Sequence, residues 1–158
     1  MPCPPVPINP TAAQHLGKGT LYWFDFGSGP GKRPVLVVSR YRPGSNQVTI
    51  APLTDLDNVQ DAATNTMKYP YHARLDRGDC KGPLGLDIDS AVKLDQLYTI
   101  ERDDLWEEWF IGEVSLVARA RIDLALIYAL DLETFMGELM KSALQEKMAD
   151  YQQHFSRR

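Results

Sequence analysis

Two residues in distinctive local settings carry the first chemical signal. Arg33 follows the loop Gly27-Ser28-Gly29-Pro30-Gly31-Lys32, and Thr54 closes Ala51-Pro52-Leu53-Thr54. Glycines admit positive φ without steric cost, so the loop before Arg33 can curl close to a ligand. Pro34 pushes Arg33 toward an extended conformation and donates nothing to a ladder, which puts the pair at the first residues of a strand. A guanidinium there grips two phosphate oxygens in its planar fork and stays charged at any physiological pH. The same property makes it a poor proton donor, so its role is to stabilise developing negative charge; a structural ion pair is the competing use. The Thr54 hydroxyl can donate to a phosphate oxygen, and residue type alone fits a turn-capping threonine equally well.

Further along, Lys93 and Asp95 stand two apart in a strand and share one face, with Val92 and Leu94 on the other. Lys93 can steer a phosphate as a point charge without bidentate geometry. Proton transfer needs a base, and no carboxylate lies between Phe26 and Arg33. Asp95 and His72 are the remaining candidates. Histidine titrates nearest neutrality. His72 is expected to face outward with Arg74, alternating with Tyr71, Ala73 and Leu75; an exposed strand residue of no chemical consequence reads the same. Cys3 and Cys80 lie far apart with no ligand-like spacing to histidine, so two free thiols are expected, with no disulfide, metal site or cofactor.

These side chains need strands to hold them. Thr20 to Phe26 and Pro34 to Ser39 read as strands from aromatic and β-branched content, the second nearly continuous and therefore central. Gln47 to Ile50, Tyr71 to Leu75 and Ala91 to Ile100 supply more. Short strands broken by glycine and proline turns point to a small barrel or sandwich. The period then changes. Ser115 can cap a helix bearing Leu116, Ala120, Leu124, Ile127 and Leu130, and Asp131 can cap another. In the second, Leu132, Phe135, Met136, Leu139, Met140, Ala143, Leu144, Met148 and Tyr151 recur at helical spacing, an apolar stripe for the domain's own core or a dimer mate.

A chain of 158 residues is one domain by length and long enough for a real core. Neither a basic-then-apolar leader nor an apolar run of membrane length is present, so a soluble cytoplasmic protein without membrane contact is expected. Met1 to Leu16 holds Pro2, Pro4, Pro5, Pro7 and Pro10 and reads as an extended, mobile arm. The net charge of −4 argues against broad nonspecific nucleic-acid binding. Charge is uneven, however. Lys18, Lys32, Arg33, Arg40 and Arg42 face only Asp25 in the first part, whereas Glu101, Asp103, Asp104, Glu107, Glu108 and Glu113 face only Arg102 later. A local basic face can bind phosphates despite the total, because screening confines attraction to about 8–10 Å; two solvated loops of opposite charge would look the same.

Five blocks, in order, resemble the MazF/PemK family of toxin endoribonucleases from bacterial type II toxin–antitoxin systems. They are Gly19-Thr20-Leu21-Tyr22-Trp23-Phe24-Asp25-Phe26, Arg33-Pro34-Val35-Leu36-Val37-Val38-Ser39, Ala51-Pro52-Leu53-Thr54, Tyr69-Pro70-Tyr71, and Val92-Lys93-Leu94-Asp95-Gln96 with Thr99-Ile100. The resemblance implies a mainly β, α+β fold: an SH3-like small antiparallel barrel with C-terminal helices. It divides the chain into the arm at 1–16, the barrel domain at 17–130 and an additional helix at 131–158, packed on the domain or a dimer mate. It implies a metal-independent, sequence-selective endoribonuclease that cleaves single-stranded mRNA by 2′-hydroxyl attack and leaves a 5′-hydroxyl product. The partners implied are RNA, a cognate antitoxin and a second copy of the chain, with no DNA bound by the toxin alone.

By the same resemblance, Arg33 and Thr54 are catalytic, with Asp95 or His72 as base, and Lys32, Arg40, Arg42, Lys93 and Gln96 bind RNA. Two departures stand out. Some relatives carry a glutamate in the loop before the arginine, which is absent here, and Lys93 stands where some carry an arginine. The alternative is a catalytically inactive binding module on the same scaffold, of the CcdB kind, acting on a protein target. A structural or regulatory protein of a phage or plasmid, assembled through the long helix, is a third reading. Arg33, Thr54 and Asp95 together favour the nuclease; the acidic stretch and the missing loop carboxylate favour the binder.

Overall fold

A computed structural model describes residues 2–29 and 31–156, without the side chains of Glu133, Tyr151 and residues 154–156. Pro30 of the glycine loop therefore lies outside the described residues, as does the side chain of Tyr151 in the helical stripe. Strands β1 (Thr20–Asp25), β2 (Lys32–Val37) and β3 (Gln47–Asp55) form two successive hairpins. Short strands β4 (Gln60–Asp61) and β5 (Thr66–Met67) pair as a separate ribbon. There follow β6 (His72–Leu75), β7 (Cys80–Lys81), β8 (Ser90–Lys93), β9 (Tyr98–Glu101) and β10 (Phe110–Val114). The main sheet runs β6-β8-β3-β2-β1-β10-β7 with β9 also on β3, every pair antiparallel, and curls into a nearly closed barrel. Helices α1 (Leu116–Ala129) and α2 (Glu133–Ser156) complete the chain.

The continuous apolar run of β2 has a simple cause: both faces of the sheet are covered. Leu21, Trp23, Leu36, Leu53, Val92 and Ile111 pack into one cluster, closed by Ala118, Ile122 and Ala125 of α1. Their strand neighbours Tyr22, Val35, Val37 and Ile50 point the other way, into a second cluster with Leu105, Ala13 and Leu16. Each such aliphatic side chain removed from water contributes roughly 1.5–3 kcal/mol, so the second face needs its cover.

That cover corrects the expectation of a mobile arm. Ala13 N–H donates to the Leu105 carbonyl at 2.9 Å, and Glu107 N–H donates to the Thr11 carbonyl at 2.8 Å. The Glu108 carboxylate accepts from Thr11 N–H at 3.0 and 3.1 Å, and Glu107 accepts from Gln14 N–H at 2.7 Å. The Trp109 indole donates to the Pro5 carbonyl at 3.1 Å. Prolines deprive the segment of donors for a ladder of its own, but Ala13 and Leu16 are buried apolar anchors, and Glu107 and Glu108 accept the N–H groups of Gln14 and Thr11. Composition alone registered the prolines and missed the anchors.

Two glycines fix how β7 crosses β10. A Cβ on Gly82 would stand 2.2 Å from the Gly112 Cα and 2.5 Å from the Ile111 carbonyl oxygen, and one on Gly112 would stand 2.5 Å from the Lys81 carbonyl oxygen. The obstacles are backbone, so nothing can swing aside. Gly82→Ala or Gly112→Ala is therefore expected to cost more than ~4 kcal/mol, in the exceptional tail for single substitutions. Circular dichroism should show the cooperative melt lost or shifted far down; a melt close to the parent's would mean the strands do not cross this tightly.

Ser115 caps α1 as expected, accepting from Ala118 N–H at 3.2 Å. Asp131 does not cap α2. It takes a left-handed conformation with φ 55°, which aspartate tolerates, and ends α1 instead. The α2 stripe does not pack on its own domain: Phe135, Met140 and Met148 are 63%, 63% and 62% exposed. No described helix is long and apolar enough to cross a membrane.

Candidate active site

Antiparallel register brings the two leading residues together. Val35 lies opposite Pro52 and Leu36 opposite Ala51. Continuing that register two residues sets Arg33 across from Thr54, where directly opposed Cβ atoms stand about 4.5–5.5 Å apart. Arg33 also pairs with Phe24 in β1, and Thr54 with Ala91 in β8, so each sits between two strands. Both line one open cavity of about 260 Å³, with Lys32, Pro34 and Trp23 on one side and Asp55, Asn58 and Ser90 on the other. Asn58 Nδ2 donates to Thr54 Oγ1 at 3.0 Å, which leaves the threonine's own hydrogen to donate. The Lys32 ammonium rests 5.9 Å from the Trp109 ring centroid, an attraction that helps hold a mobile cation at the mouth.

The other expected site residues lie elsewhere. Arg40 and Arg42 are exposed in the turn joining β2 to β3, at the far end of the hairpin from Arg33. A strand of this length spans ~20 Å, so the expected single basic face splits in two. His72, expected to face outward, is buried at 6% exposure under the rings of Tyr69 and Tyr71. Its Nε2 bonds Asp95 Oδ1 at 2.9 Å, and its Nδ1 is buried without a hydrogen-bond partner. Neither His72 nor Asp95 lines the cavity of Arg33 and Thr54. Lys93, paired with His72 across β6 and β8, and Gln96 in the following turn belong to that second cluster.

Sequence reading missed Asp55, the one carboxylate lining the cavity among the described residues. Its signal was adjacency to Thr54. Strand alternation argues that neighbours diverge, but at a strand's last residue the chain turns into the 3-10 segment Leu56–Asn58 and keeps both near the opening. Asn58 and Ser90 were missed for want of any local motif. Among the described residues no group of acidic, histidine and cysteine side chains could hold a metal ion. Both cysteines are free thiols; burial pushes Cys80 up to about 11, and loss of hydration also raises Cys3.

The family model for the PemK-like, MazF-like toxin of type II toxin–antitoxin systems matches residues 17–150. The chain belongs to this family. The match runs past residue 130, where the resemblance had set the end of the barrel domain, and takes in most of α2. Solved relatives share the toxin's fold. A mycobacterial endoribonuclease in complex with its cognate antitoxin is 24% identical, covering 73% of this chain and 95% of that one at a TM-score of 0.54. The Mycobacterium tuberculosis toxin MazF-mt6 is 25% identical over 72% of this chain and 98% of its own, also at 0.54. MazF in a MazE–MazF structure from Deinococcus radiodurans is 20% identical over 74% and 97%, at 0.51. No curated protein matches the toxin closely.

Proposed function

We propose that this toxin is a metal-independent endoribonuclease that cuts single-stranded RNA by attack of a ribose 2′-hydroxyl on the adjacent phosphorus. The observation that carries the reading is that Arg33 and Thr54 line one open cavity, although the sequence separates them by a strand and a turn. Such a reaction needs an aligned 2′-hydroxyl, a stabiliser for the extra negative charge, and two proton transfers. Arg33 supplies the charge with a fork matched to phosphate oxygens. Thr54 donates to a phosphate or leaving oxygen. Asp55 is the carboxylate placed to take the 2′-hydroxyl proton, a role that the buried His72 and the distant Asp95 do not fill. Lys32 steers phosphate at the mouth, and Lys93 and Gln96 extend the RNA contact beyond the cavity.

The competing binder reading drew on the acidic stretch, and three of its six carboxylates are engaged within the chain while Glu101, Asp103 and Asp104 stay exposed. Glu107 and Glu108 hold the N-terminal segment, and Glu113 pairs with Arg119 at 2.7 Å. The test is to incubate the protein with a long RNA in excess chelator and map the new 5′ ends. Discrete sites bearing 5′-hydroxyls are expected; uncut RNA, or cutting that chelator abolishes, would sink the reading.

A cytoplasmic antitoxin peptide with acidic and apolar side chains should compete for the Arg33 opening. Domain boundaries follow the same logic: barrel and α1 form the catalytic unit, and α2, whose stripe finds no cover on its own domain, packs on a dimer mate. Light scattering at micromolar concentration should give a dimer, and a monomer would remove that part.

A further inference from the structure

The second cluster, left over by the active site, has the parts of a nucleic-acid contact. Tyr69 and Tyr71 stack at 5.2 Å between centroids with planes 9° apart. Beneath them the His72 ring stands nearly perpendicular to both, at 87° and 86°. His72 is itself held by Asp95, so the tyrosines rest on a side chain fixed from the next strand's turn. Tyr69 remains 47% exposed, so its ring is open to a ligand. Lys93 lies across from His72, and among the described residues its ammonium has no ion-pair partner.

We propose that Tyr69 and Tyr71 form a stacking platform for a base of the bound single-stranded RNA, with Lys93 taking the adjoining phosphate. This rests on the nuclease reading and extends it to a subsite outside the cavity. Stacking suits single strands because an unpaired base offers its whole π-face, and every base has one. A paired duplex hides those faces. The sheet sets the cation of this cluster on the cavity's flank: Lys93 stands two residues along β8 from Ala91, which pairs with Thr54. Diagonal neighbours of this kind lie about 7–8 Å apart, close to one nucleotide of an extended strand. The subsite thus binds a nucleotide adjacent to the scissile one and contributes affinity more than sequence choice. An antitoxin peptide could also use exposed tyrosines, but the unpaired cation beside them favours a polyanion.

The test uses a pool of short RNA strands with every 2′-hydroxyl methylated, so that none is cut, each carrying one fluorescent purine. Stacking should quench that purine on the parent protein. Tyr69→Ala and Tyr71→Ala should weaken binding about tenfold or more, as loss of one base stack does. Tyr69→Phe and Tyr71→Phe keep the ring and should keep most of the affinity. Exposed Tyr69 is the safer site if Tyr71→Ala melts early. Parent-like binding by both alanine variants overturns the platform, as does equal loss with phenylalanine, or loss confined to an antitoxin peptide. If the alanine variants still cut RNA like the parent in an Arg33-dependent manner, only the platform falls. A parent protein that neither binds nor cuts RNA removes the nuclease reading as well.

Discussion

Replacing Arg33 by lysine is expected to lower the rate of RNA cleavage by about 10²-fold or more while the protein stays folded and keeps much of its RNA affinity. Lysine preserves the charge, so long-range attraction to phosphate survives. What it loses is the planar fork that meets two oxygens at once as negative charge builds on phosphorus. That interaction matters most in the transition state, so the loss belongs in kcat and not in KM. The strand position makes the comparison clean: Arg33 is paired with Phe24 of β1, and lysine fits the same extended backbone. Thr54→Val conserves shape and deletes the hydroxyl, and should slow cleavage with a smaller effect on binding. Saturating-substrate kinetics separate the two parameters. An unchanged rate for Arg33→Lys would move the active centre elsewhere in the chain.

Arg33 and Thr54 were legible because their signals are local: a glycine loop, a proline on either side, and strands of obvious composition. Register did the rest, and register follows from which residues must be buried. What misled was the assumption of a sheet with one wet face. His72 alternates with Ala73 and Leu75 as an outward residue should, yet Tyr69 and Tyr71 fold over it and Asp95 completes its bonding. The N-terminal segment failed for a related reason. Its partners lie about a hundred residues away, at Leu105 to Trp109, and no local rule connects them. Strand β10 hides behind an acidic stretch and contains Gly112, which reads as a breaker; the structure needs it there so that β7 can pass. Even the charge imbalance dissolved into particulars, as Glu107 and Glu108 serve the arm and Arg40 and Arg42 sit at the wrong end of a hairpin.

A single 2′-deoxy substitution at the scissile ribose should block cleavage there entirely while leaving binding nearly unchanged. The nucleophile in the proposed reaction belongs to the substrate. Removing it leaves no attacking oxygen, whereas one hydroxyl among many backbone and base contacts adds little to affinity. A hydrolytic nuclease, which activates water, would cut the deoxy strand at a similar rate. Asp55→Asn should act on the same step from the protein's side, lowering the rate by roughly 10²-fold, the usual contribution of a positioned base. The two changes should not multiply, because a substrate without the 2′-hydroxyl has no proton for Asp55 to take. Comparing deoxy and native strands on the parent and on Asp55→Asn, with product ends identified by phosphatase and kinase treatment, resolves the step. A 5′-hydroxyl on the native product, with no cut in the deoxy strand, is the expected result. Cleavage of the deoxy strand would show that water, not ribose, attacks, and the roles of Arg33, Thr54 and Asp55 would have to be reassigned to a hydrolytic mechanism.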